Sequence, residues 1–147
     1  MSPNLSYHIN IENVYASDAV ETTAITRMCE WILTREAQTG PWELTFVFVD
    51  NAFIKDLNER FFNISSATDV ISFNLTEQDI PEGEVYISVD TARDNAKQYN
   101  VSLQDELLRL VAHGTYHILG YDDATEAQRQ KMTQLENKAL EYVHSTF

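Results

Sequence analysis

The segment HGTYHILGYDD, residues 113–123, combines the end of a helix with a tight turn and decides how this part of the chain folds. His113 and His117 are four positions apart, so their rings share one face of a helix. Gly120 is suited to the left-handed conformation that ends a helix and turns the chain back. That turn brings Asp123 to the place of a third ligand. Because imidazole nitrogens and carboxylate oxygens bind Zn²⁺, we predict one zinc site at His113, His117 and Asp123.

The spacing of this segment is similar to the metzincin pattern H-E-x-x-H-x-x-G-x-x-H, with two replacements. Gly114 stands where those proteases carry the Glu that acts as general base, and Asp123 stands where they carry a third His. Three protein ligands leave one position of the ion open, as in catalytic zinc sites. Without the Glu, another group must take the proton of the attacking water, which weakens a peptidase interpretation.

On both sides of this segment, strand and helix patterns alternate. The predicted strands cover residues 5–11, 42–49, 69–73 and 84–89, and the predicted helices cover 17–38, a short stretch from 51, 90–99, 102–119 and the chain from 125. The residues predicted to cap these helices are Ser17, Asn51, Asp90, Ser102 and Thr125. About four strands and five helices in one domain, residues 1–147, predict an α+β fold (an α/β sandwich) with a small mixed sheet.

The charge of the chain argues against a protein that grips phosphate backbones. Ten Lys and Arg stand against 23 Asp and Glu, which gives a net charge of −13 over 147 residues. The region from residue 61 to 92 contains neither Lys nor Arg. Acidic surroundings help to hold a divalent cation but repel a polyanion, so composition alone excludes an ordinary basic nucleic-acid binder.

The remaining residues with reactive side chains are predicted to be structural. Cys29 is the single cysteine, so no disulfide partner exists within the chain, and its apolar neighbours indicate a buried thiol. His8 and His144 have no ligand-spaced neighbour and are interpreted as ordinary surface or partly buried histidines. The first residues do not resemble a secretory signal, and no apolar run is long enough to cross a membrane. We expect a cytoplasmic protein.

With these motifs the chain resembles the YbeY family of bacterial endoribonucleases, metal-dependent proteins of ribosomal RNA maturation. The family signature H-G-x-L-H-L-x-G-Y-D-H is similar to residues 113–123. Upstream, the family blocks L-N, T-D-V-L-S-F and G-D-I-x-I-S resemble residues 57–58, 68–73 and 83–88 in the same order. The resemblance implies an α+β fold, a bound divalent metal and RNA as substrate.

Two departures from the family pattern concern the predicted site. Asp123 replaces the third histidine, which implies a His₂Asp zinc site. The arginine that the family carries shortly after Leu-Asn falls at Phe62. Arg60 precedes it by two positions, but that is about 200° around a helix, so Arg60 is a poor substitute. Catalytic residues are therefore left unassigned, with the metal-bound hydroxide acting alone or with Asp122 or Glu84. For both of these carboxylates we favour a surface or capping role over a catalytic one.

The resemblance to metzincin-like clefts also implies a substrate groove. Thr68, Asp69 and Ser72 match the family and begin a strand predicted at the edge of the sheet, where they could line that groove.

The leading hypothesis is a single-strand-specific, metal-dependent endoribonuclease. The resemblance implies that it acts on the 3′ end of small-subunit ribosomal RNA and in ribosome quality control. Its implied partners are ribosomal RNA and the ribosome or a ribosome-associated protein. A metal-dependent hydrolase of another class, such as a peptidase, is one alternative. A non-catalytic ribosome assembly factor with a structural metal is the other, and Phe62 favours it. Given the net charge, we predict that the isolated protein binds bulk RNA weakly and with a shallow salt dependence.

Overall fold

The computed structural model describes residues 7–39 and 41–147. In this part of the chain, four strands and five helices follow one another as β1 (Tyr7–Asn13), α1 (Thr22–Arg35), β2 (Trp42–Val49), α2 (Asn51–Phe62), β3 (Val70–Asn74), β4 (Glu82–Ser88), α3 (Val89–Tyr99), α4 (Leu103–Ile118) and α5 (Glu126–Thr146). Residues 5 and 6 of the first predicted strand, and Gly40 after the first predicted helix, lie outside the described residues.

The four strands form one mixed sheet in the order β1-β2-β4-β3. The pairs β1-β2 and β2-β4 are parallel, whereas β3 runs antiparallel to β4 and forms an edge of the sheet. Strand β2 lies inside the sheet because it is apolar on both faces, with Phe46, Phe48 and Val49 almost fully buried. The prediction of an α+β fold with a small mixed sheet is confirmed.

The helices cover both faces of this sheet unequally. The larger core lies on the face covered by α1, α3, α4 and α5, and α4 is its central helix, in contact with α1, α3, α5, β3 and β4. On the other face, α2 buries Ile54 against Val47, Val49 and Ile71 in a smaller core. A helix enclosed on so many sides holds its side chains in place, and α4 is the helix that carries both histidines of the predicted site.

The first helix is shorter than the sequence pattern indicates. It begins at Thr22 rather than Ser17, and Glu21 precedes it without a capping hydrogen bond from its side chain. Ser17 instead stabilises a turn before the helix, where its hydroxyl accepts a hydrogen bond from the amide of Ala19 at 3.2 Å. The helix ends at Arg35, and Ala37 follows with a φ of 56° in the left-handed region.

The prediction that Asn51 caps the second helix is wrong by one residue. Asp50 is the cap, and its carboxylate accepts a hydrogen bond from the amide of Phe53 at 2.9 Å. On this helix Ile54 is buried as predicted, but Phe61 is largely exposed because the small core ends before the last turn.

The prediction that Asp90 caps the third helix is also wrong. Ser88 is the cap, since its hydroxyl accepts a hydrogen bond from the amide of Thr91 at 3.2 Å. Asp90 has a tertiary role, because its carboxylate accepts hydrogen bonds from the amide of Asn51 and the hydroxyl of Tyr15. These contacts hold the beginnings of α2 and α3 together.

The predicted caps of the last two helices agree with the structure. The hydroxyl of Ser102 accepts a hydrogen bond from the amide of Asp105 at 3.0 Å. Thr125 and Gln128 form a reciprocal capping box at the start of α5. Cys29 is fully buried as predicted, and burial raises the pKa of its thiol to about 12. Over the described residues, no helix is both long enough and apolar enough to span a bilayer.

Candidate metal centre

The two predicted histidine ligands lie on the last two turns of α4. The rings of His113 and His117 share one face of the helix, with centroids 5.6 Å apart. The opposite face of this part of the helix is packed into the core through Tyr116 and Ile118, both almost fully buried. Because of the helical period, the two imidazoles lie on the face of the helix that points away from the core.

A Schellman turn follows and positions the third predicted ligand. Gly120 adopts a φ of 107°, and its amide donates a hydrogen bond to the carbonyl of His117 at 3.1 Å. The amide of Tyr121 donates to the carbonyl of Tyr116 at 3.0 Å. This pair of hydrogen bonds defines the motif, and a glycine is favoured at its left-handed position. The reversal returns the chain so that Asp123 faces the two imidazoles.

Replacing Gly120 by Ala is expected to strain this turn. A methyl group there would meet no neighbour within 4 Å, so the expected loss comes from backbone conformation alone. We expect the free energy of unfolding to fall by about 1–2 kcal/mol, the cost of a left-handed conformation for an L-residue. Chemical denaturation would measure it. Gly120→Asn is the matched control, because asparagine tolerates this conformation better; equal losses for both variants would contradict the explanation.

The three predicted ligands converge on one point. The carboxylate of Asp123 lies 3.3 Å from Nε2 of His113 and 3.5 Å from Nε2 of His117. One donor atom from each of the three residues falls within 4.8 Å of the others. Ligands that bind one tetrahedral Zn²⁺ at about 2.0–2.1 Å lie roughly 3.3–3.4 Å from one another. The donor set and its spacing fit a divalent ion with three protein ligands.

A buried carboxylate that the sequence analysis missed holds His113 in place. Oε2 of Glu136, on α5, lies 2.7 Å from Nδ1 of His113, and the Glu136 residue is 6% exposed. Arg109 donates a hydrogen bond to the other carboxylate oxygen of Glu136 at 3.1 Å. With the proton on Nδ1, Nε2 is free to bind a metal, and outer carboxylates of this kind orient metal-binding histidines.

The sequence contained a pattern from which the burial of Glu136 could have been predicted. Glu136 falls among the inward positions of the last helix, between Met132 and Ala139, both almost fully buried. A carboxylate in such a row must be paired, since an unpaired buried charge is costly. The pattern indicated a polar partner on a neighbouring helix but could not say which one.

The surroundings of His113 favour its protonated form. Burial lowers the pKa of His113, but the hydrogen bond and charge of Glu136 and the charges of Asp123 and Asp69 outweigh it, so the pKa is raised. In the metal-free protein this stabilisation is fully present below the ordinary histidine pKa of about 6.5 and is lost as the pH rises through the raised pKa.

Glu136→Gln is expected to lower the pKa of His113 and to weaken metal binding. The amide keeps a hydrogen bond to the imidazole but removes the negative charge. Zinc affinity is expected to fall by about 10- to 100-fold, the usual effect of losing an outer carboxylate. NMR titration of the metal-free protein would give the pKa, and competition with a chelating dye would give the affinity. An unchanged His113 titration in the variant would contradict the assignment.

A cleft of about 440 Å³ opens beside the triad, along the edge strand β3. The three residues predicted for the substrate groove, Thr68, Asp69 and Ser72, all line it together with His113 and Asp123. Further residues that line the cleft come from α2 and the loop after it: Asn58, Phe62 and Ile64. The fold thus brings the predicted groove and the predicted metal ligands to one place.

Asp69 is held in the cleft by a small polar network. The side-chain amide of Asn95 donates hydrogen bonds to Asp69 at 3.2 Å and to Glu106 at 3.3 Å. Glu106 is buried, and burial raises the pKa of its carboxyl group. Asp69 is thereby a carboxylate in the cleft that does not belong to the triad.

The two carboxylates considered as proton acceptors do not line this cleft. Glu84 accepts a hydrogen bond from the hydroxyl of Tyr86 at 2.9 Å on the sheet face away from α4. Its neighbour Val85 faces α4, and side chains alternate between faces along a strand. Asp122 is exposed, and its carboxylate accepts the amide hydrogen of Asp123 at 2.8 Å.

Gly114 lies where α4 packs closely against the sheet. A Cβ atom at this position would come within 2.5 Å of Cγ1 of Val85 and 3.1 Å of Oγ of Ser72. The residue after the first histidine therefore faces the sheet, and there is no space for the glutamate that metzincins carry there. Packing explains the glycine, and a carboxylate base at this position is excluded sterically.

The position of the family arginine is occupied by an aromatic ring. Phe62 lines the cleft at the end of α2. Arg60 forms an exposed ion pair with Asp56 at 3.0 Å and is absent from the cleft lining, as its helical position predicted. The other two histidines are exposed, as interpreted from the sequence, and Nε2 of His144 lies 2.9 Å from Asp105.

A mixed sheet with an edge-strand cleft and a His-His-Asp cluster defines an α+β protein with a candidate hydrolytic metal centre. The sequence profile of the family described as Endoribonuclease YbeY matches residues 9–144. The chain belongs to this family.

Individual relatives agree with that assignment. An Endoribonuclease YbeY of Pelotomaculum thermopropionicum is 34% identical over 89% of this chain and 91% of its own length. The protein of the same name from Flavobacterium johnsoniae is 34% identical over 77% of this chain and 80% of its own length. A solution structure of a Thermotoga maritima protein is similar with a TM-score of 0.66 and 28% identity, covering 93% of this chain and 88% of that one.

Proposed function

We propose that this chain is a single-domain, single-strand-specific endoribonuclease that uses a divalent metal, Zn²⁺ in the first instance, in ribosomal RNA maturation. The observation that carries the proposal is the convergence of His113, His117 and Asp123 beside a cleft, in a chain whose relatives are named as endoribonucleases. Maturation of the 3′ end of small-subunit ribosomal RNA, ribosome quality control and a cytoplasmic location complete the proposal, by analogy with the family.

Different residues of the chain would have different roles in such a reaction. His113, His117 and Asp123 would hold the ion, and Glu136 would keep the proton of His113 on Nδ1. A bound Zn²⁺ supplies polarisation of a phosphoryl oxygen and a lowered pKa for water. The hydroxyl groups in the cleft can donate hydrogen bonds to phosphate oxygens. Asp69 lines the cleft and would be the carboxylate that accepts a proton there.

The acidity of the chain bears on how RNA reaches this cleft. Among the residues that the structure describes, the cleft lining includes no Lys or Arg. Phosphate contacts by basic side chains supply most of the affinity of ordinary RNA-binding proteins. This absence supports a partner, the ribosome or a ribosome-associated protein, that brings the RNA to the enzyme. It also supports weak, shallowly salt-dependent binding of bulk RNA by the isolated protein.

The geometry of the site bears differently on the two alternatives, a peptidase and a non-catalytic assembly factor. A peptidase of the metzincin kind would require a glutamate where Gly114 packs against Val85, and nothing in the described cleft replaces it in that position. A non-catalytic assembly factor with a structural metal is favoured by Phe62 at the arginine position. The two remaining functions differ in whether purified protein cleaves RNA.

The decisive experiment is a cleavage assay on single-stranded and structured RNA. We expect the zinc-loaded protein to cut single-stranded RNA, and we expect a chelator or Asp69→Asn to reduce the rate, the chelator to background. Refilling with Zn²⁺ should restore activity. Cleavage that survives both the chelator and His117→Ala would overturn the metal-nuclease proposal, and no cleavage of any RNA with full zinc occupancy would favour the assembly factor.

A further inference from the structure

We propose that Phe62 is a stacking platform for an unpaired nucleobase of the RNA, next to the metal centre. This makes Phe62 a specificity-determining residue for single-stranded substrate. The inference rests on the proposed function and adds how the substrate is recognised in a cleft whose lining, over the described residues, includes no Lys or Arg.

Phe62 is placed where a ligand in the cleft would meet it. It is the last residue of α2 and lines the same cleft as His113, His117 and Asp123. The residue is 48% exposed, although it is a large apolar side chain beside a polar site. Ligand-binding clefts are lined mainly by apolar and aromatic side chains, so an exposed ring at this place is suited to contact a ligand.

The ring of Phe62 is supported by a neighbouring ring. It lies nearly parallel to the ring of Phe73, with centroids 6.0 Å apart and an interplanar angle of 12°. Phe73 is itself held by edge-to-face contacts with Phe61 at 5.2 Å and Tyr86 at 5.9 Å. Because this row of rings supports Phe62 while about half of the residue stays exposed, a base could stack on its exposed surface with little loss of side-chain entropy.

Three arginines of the surrounding helices are engaged with other partners. Arg60 pairs with Asp56, and Arg109 donates hydrogen bonds to Glu136 and Asn137. Arg129 pairs with Glu126 and donates a hydrogen bond to the backbone carbonyl of Asp123. In this arrangement these arginine side chains bind other protein groups rather than a phosphate of the RNA. Stacking of bases on aromatic rings binds single-stranded nucleic acid without requiring positive charge, because every base has a π-face.

Geometry also favours an unpaired base over a duplex. A base inside a helix is covered by its neighbours on both faces, whereas an unpaired base can be presented flat to a ring. Phe62 follows directly into Asn63, which has a φ of 57°, and then Ile64, which also lines the cleft. Phe62 and Ile64 thus form an apolar part of the cleft wall at the end of α2.

The experiment measures binding rather than cleavage. A labelled single-stranded RNA oligomer and a series carrying one abasic site at successive positions would be titrated with protein in the presence of chelator, by fluorescence anisotropy. For the wild-type protein we expect one abasic position to weaken binding by about 5- to 150-fold, which corresponds to ~1–3 kcal/mol for one stacked base.

The variants separate stacking from general apolar contact. In Phe62→Leu, the intact oligomer should bind more weakly and the abasic position should no longer matter. Phe62→Trp should retain the sensitivity to the abasic site. Tyr99→Leu is the matched control, since Tyr99 is an exposed aromatic residue that also ends a helix, α3, but lies outside the cleft lining, and it should behave as wild type. Thermal unfolding would establish that each variant is folded.

Three results would overturn the proposal: no abasic-sensitive position in the wild type, the same sensitivity in Phe62→Leu, or equal losses in Tyr99→Leu and Phe62→Leu. Failure of the proposed function is distinguishable from these. A protein that cleaves no RNA, but whose base-dependent binding disappears with Phe62→Leu, contradicts the nuclease and supports the platform.

Discussion

His117→Ala is expected to raise the dissociation constant for Zn²⁺ by more than about 100-fold, since loss of even an outer partner costs 10- to 100-fold. The substitution removes one of three donors that converge within 4.8 Å. The side chain of His117 is 37% exposed, so its truncation should leave the fold intact. Competition with a chelating dye and metal analysis after gel filtration would measure the loss, and RNA cleavage should fall with it.

His144→Ala is the matched control for this prediction. His144 is an exposed histidine that contacts Asp105 and lies outside the triad, so its removal should leave zinc affinity unchanged. Asp123→Ala tests the third donor separately, and Asp123→His, which introduces the residue that the family signature carries there, should keep the site occupied. An unchanged stoichiometry and affinity in both His117→Ala and Asp123→Ala would show that the ion binds elsewhere.

Gly114→Ala is expected to destabilise the protein although alanine is the better helix former. In an exposed helix interior this change would gain about 1 kcal/mol. Here the added methyl group would approach Cγ1 of Val85 to 2.5 Å, so we expect a net loss of about 1–3 kcal/mol, as for other overpacked cores. Such a loss corresponds to about 2–4 °C in the unfolding midpoint for each kcal/mol.

A double-mutant cycle isolates the steric cause. Val85→Ala removes the methyl groups that the new side chain would meet, at the cost of a cavity. The double variant Gly114→Ala with Val85→Ala should therefore be more stable than the sum of the single effects by at least about 0.5 kcal/mol. Strict additivity, or a stabilised Gly114→Ala protein, would show that α4 and the sheet have room at this point.

Local sequence patterns predicted the structure correctly where the geometry of a few neighbouring residues determines it. The four-residue spacing of His113 and His117 and the glycine turn at Gly120 predicted a shared face and a reversal, and the structure has both. The helix caps Ser102 and Thr125 and the burial of Cys29 belong to the same class of prediction. Each depends on a helical or strand period, which the backbone imposes whatever surrounds it.

The errors fall where a polar side chain had two possible partners. Asn51 and Asp90 stand at helix beginnings and have the residue type of a cap, yet they bond to each other's helices while Asp50 and Ser88 serve as caps. Propensity alone cannot decide between a local and a distant partner, because both satisfy the same hydrogen-bonding groups. Whether Glu84 could reach the site was open for a related reason, because the face of the sheet on which it lies depends on how β4 packs against α4.

The sequence by itself determined the donor types of the candidate site, their spacing on a helix and turn, and the family to which the chain belongs. Only the tertiary structure decided what surrounds those donors: Glu136 reaching His113 from α5, Val85 filling the space above Gly114, and Phe62 lining the cleft. The physical reason is the separation along the chain of the residues that interact. A turn or a helical face is defined by neighbouring residues, whereas a second shell, a steric limit and a cleft wall form only when distant segments pack together.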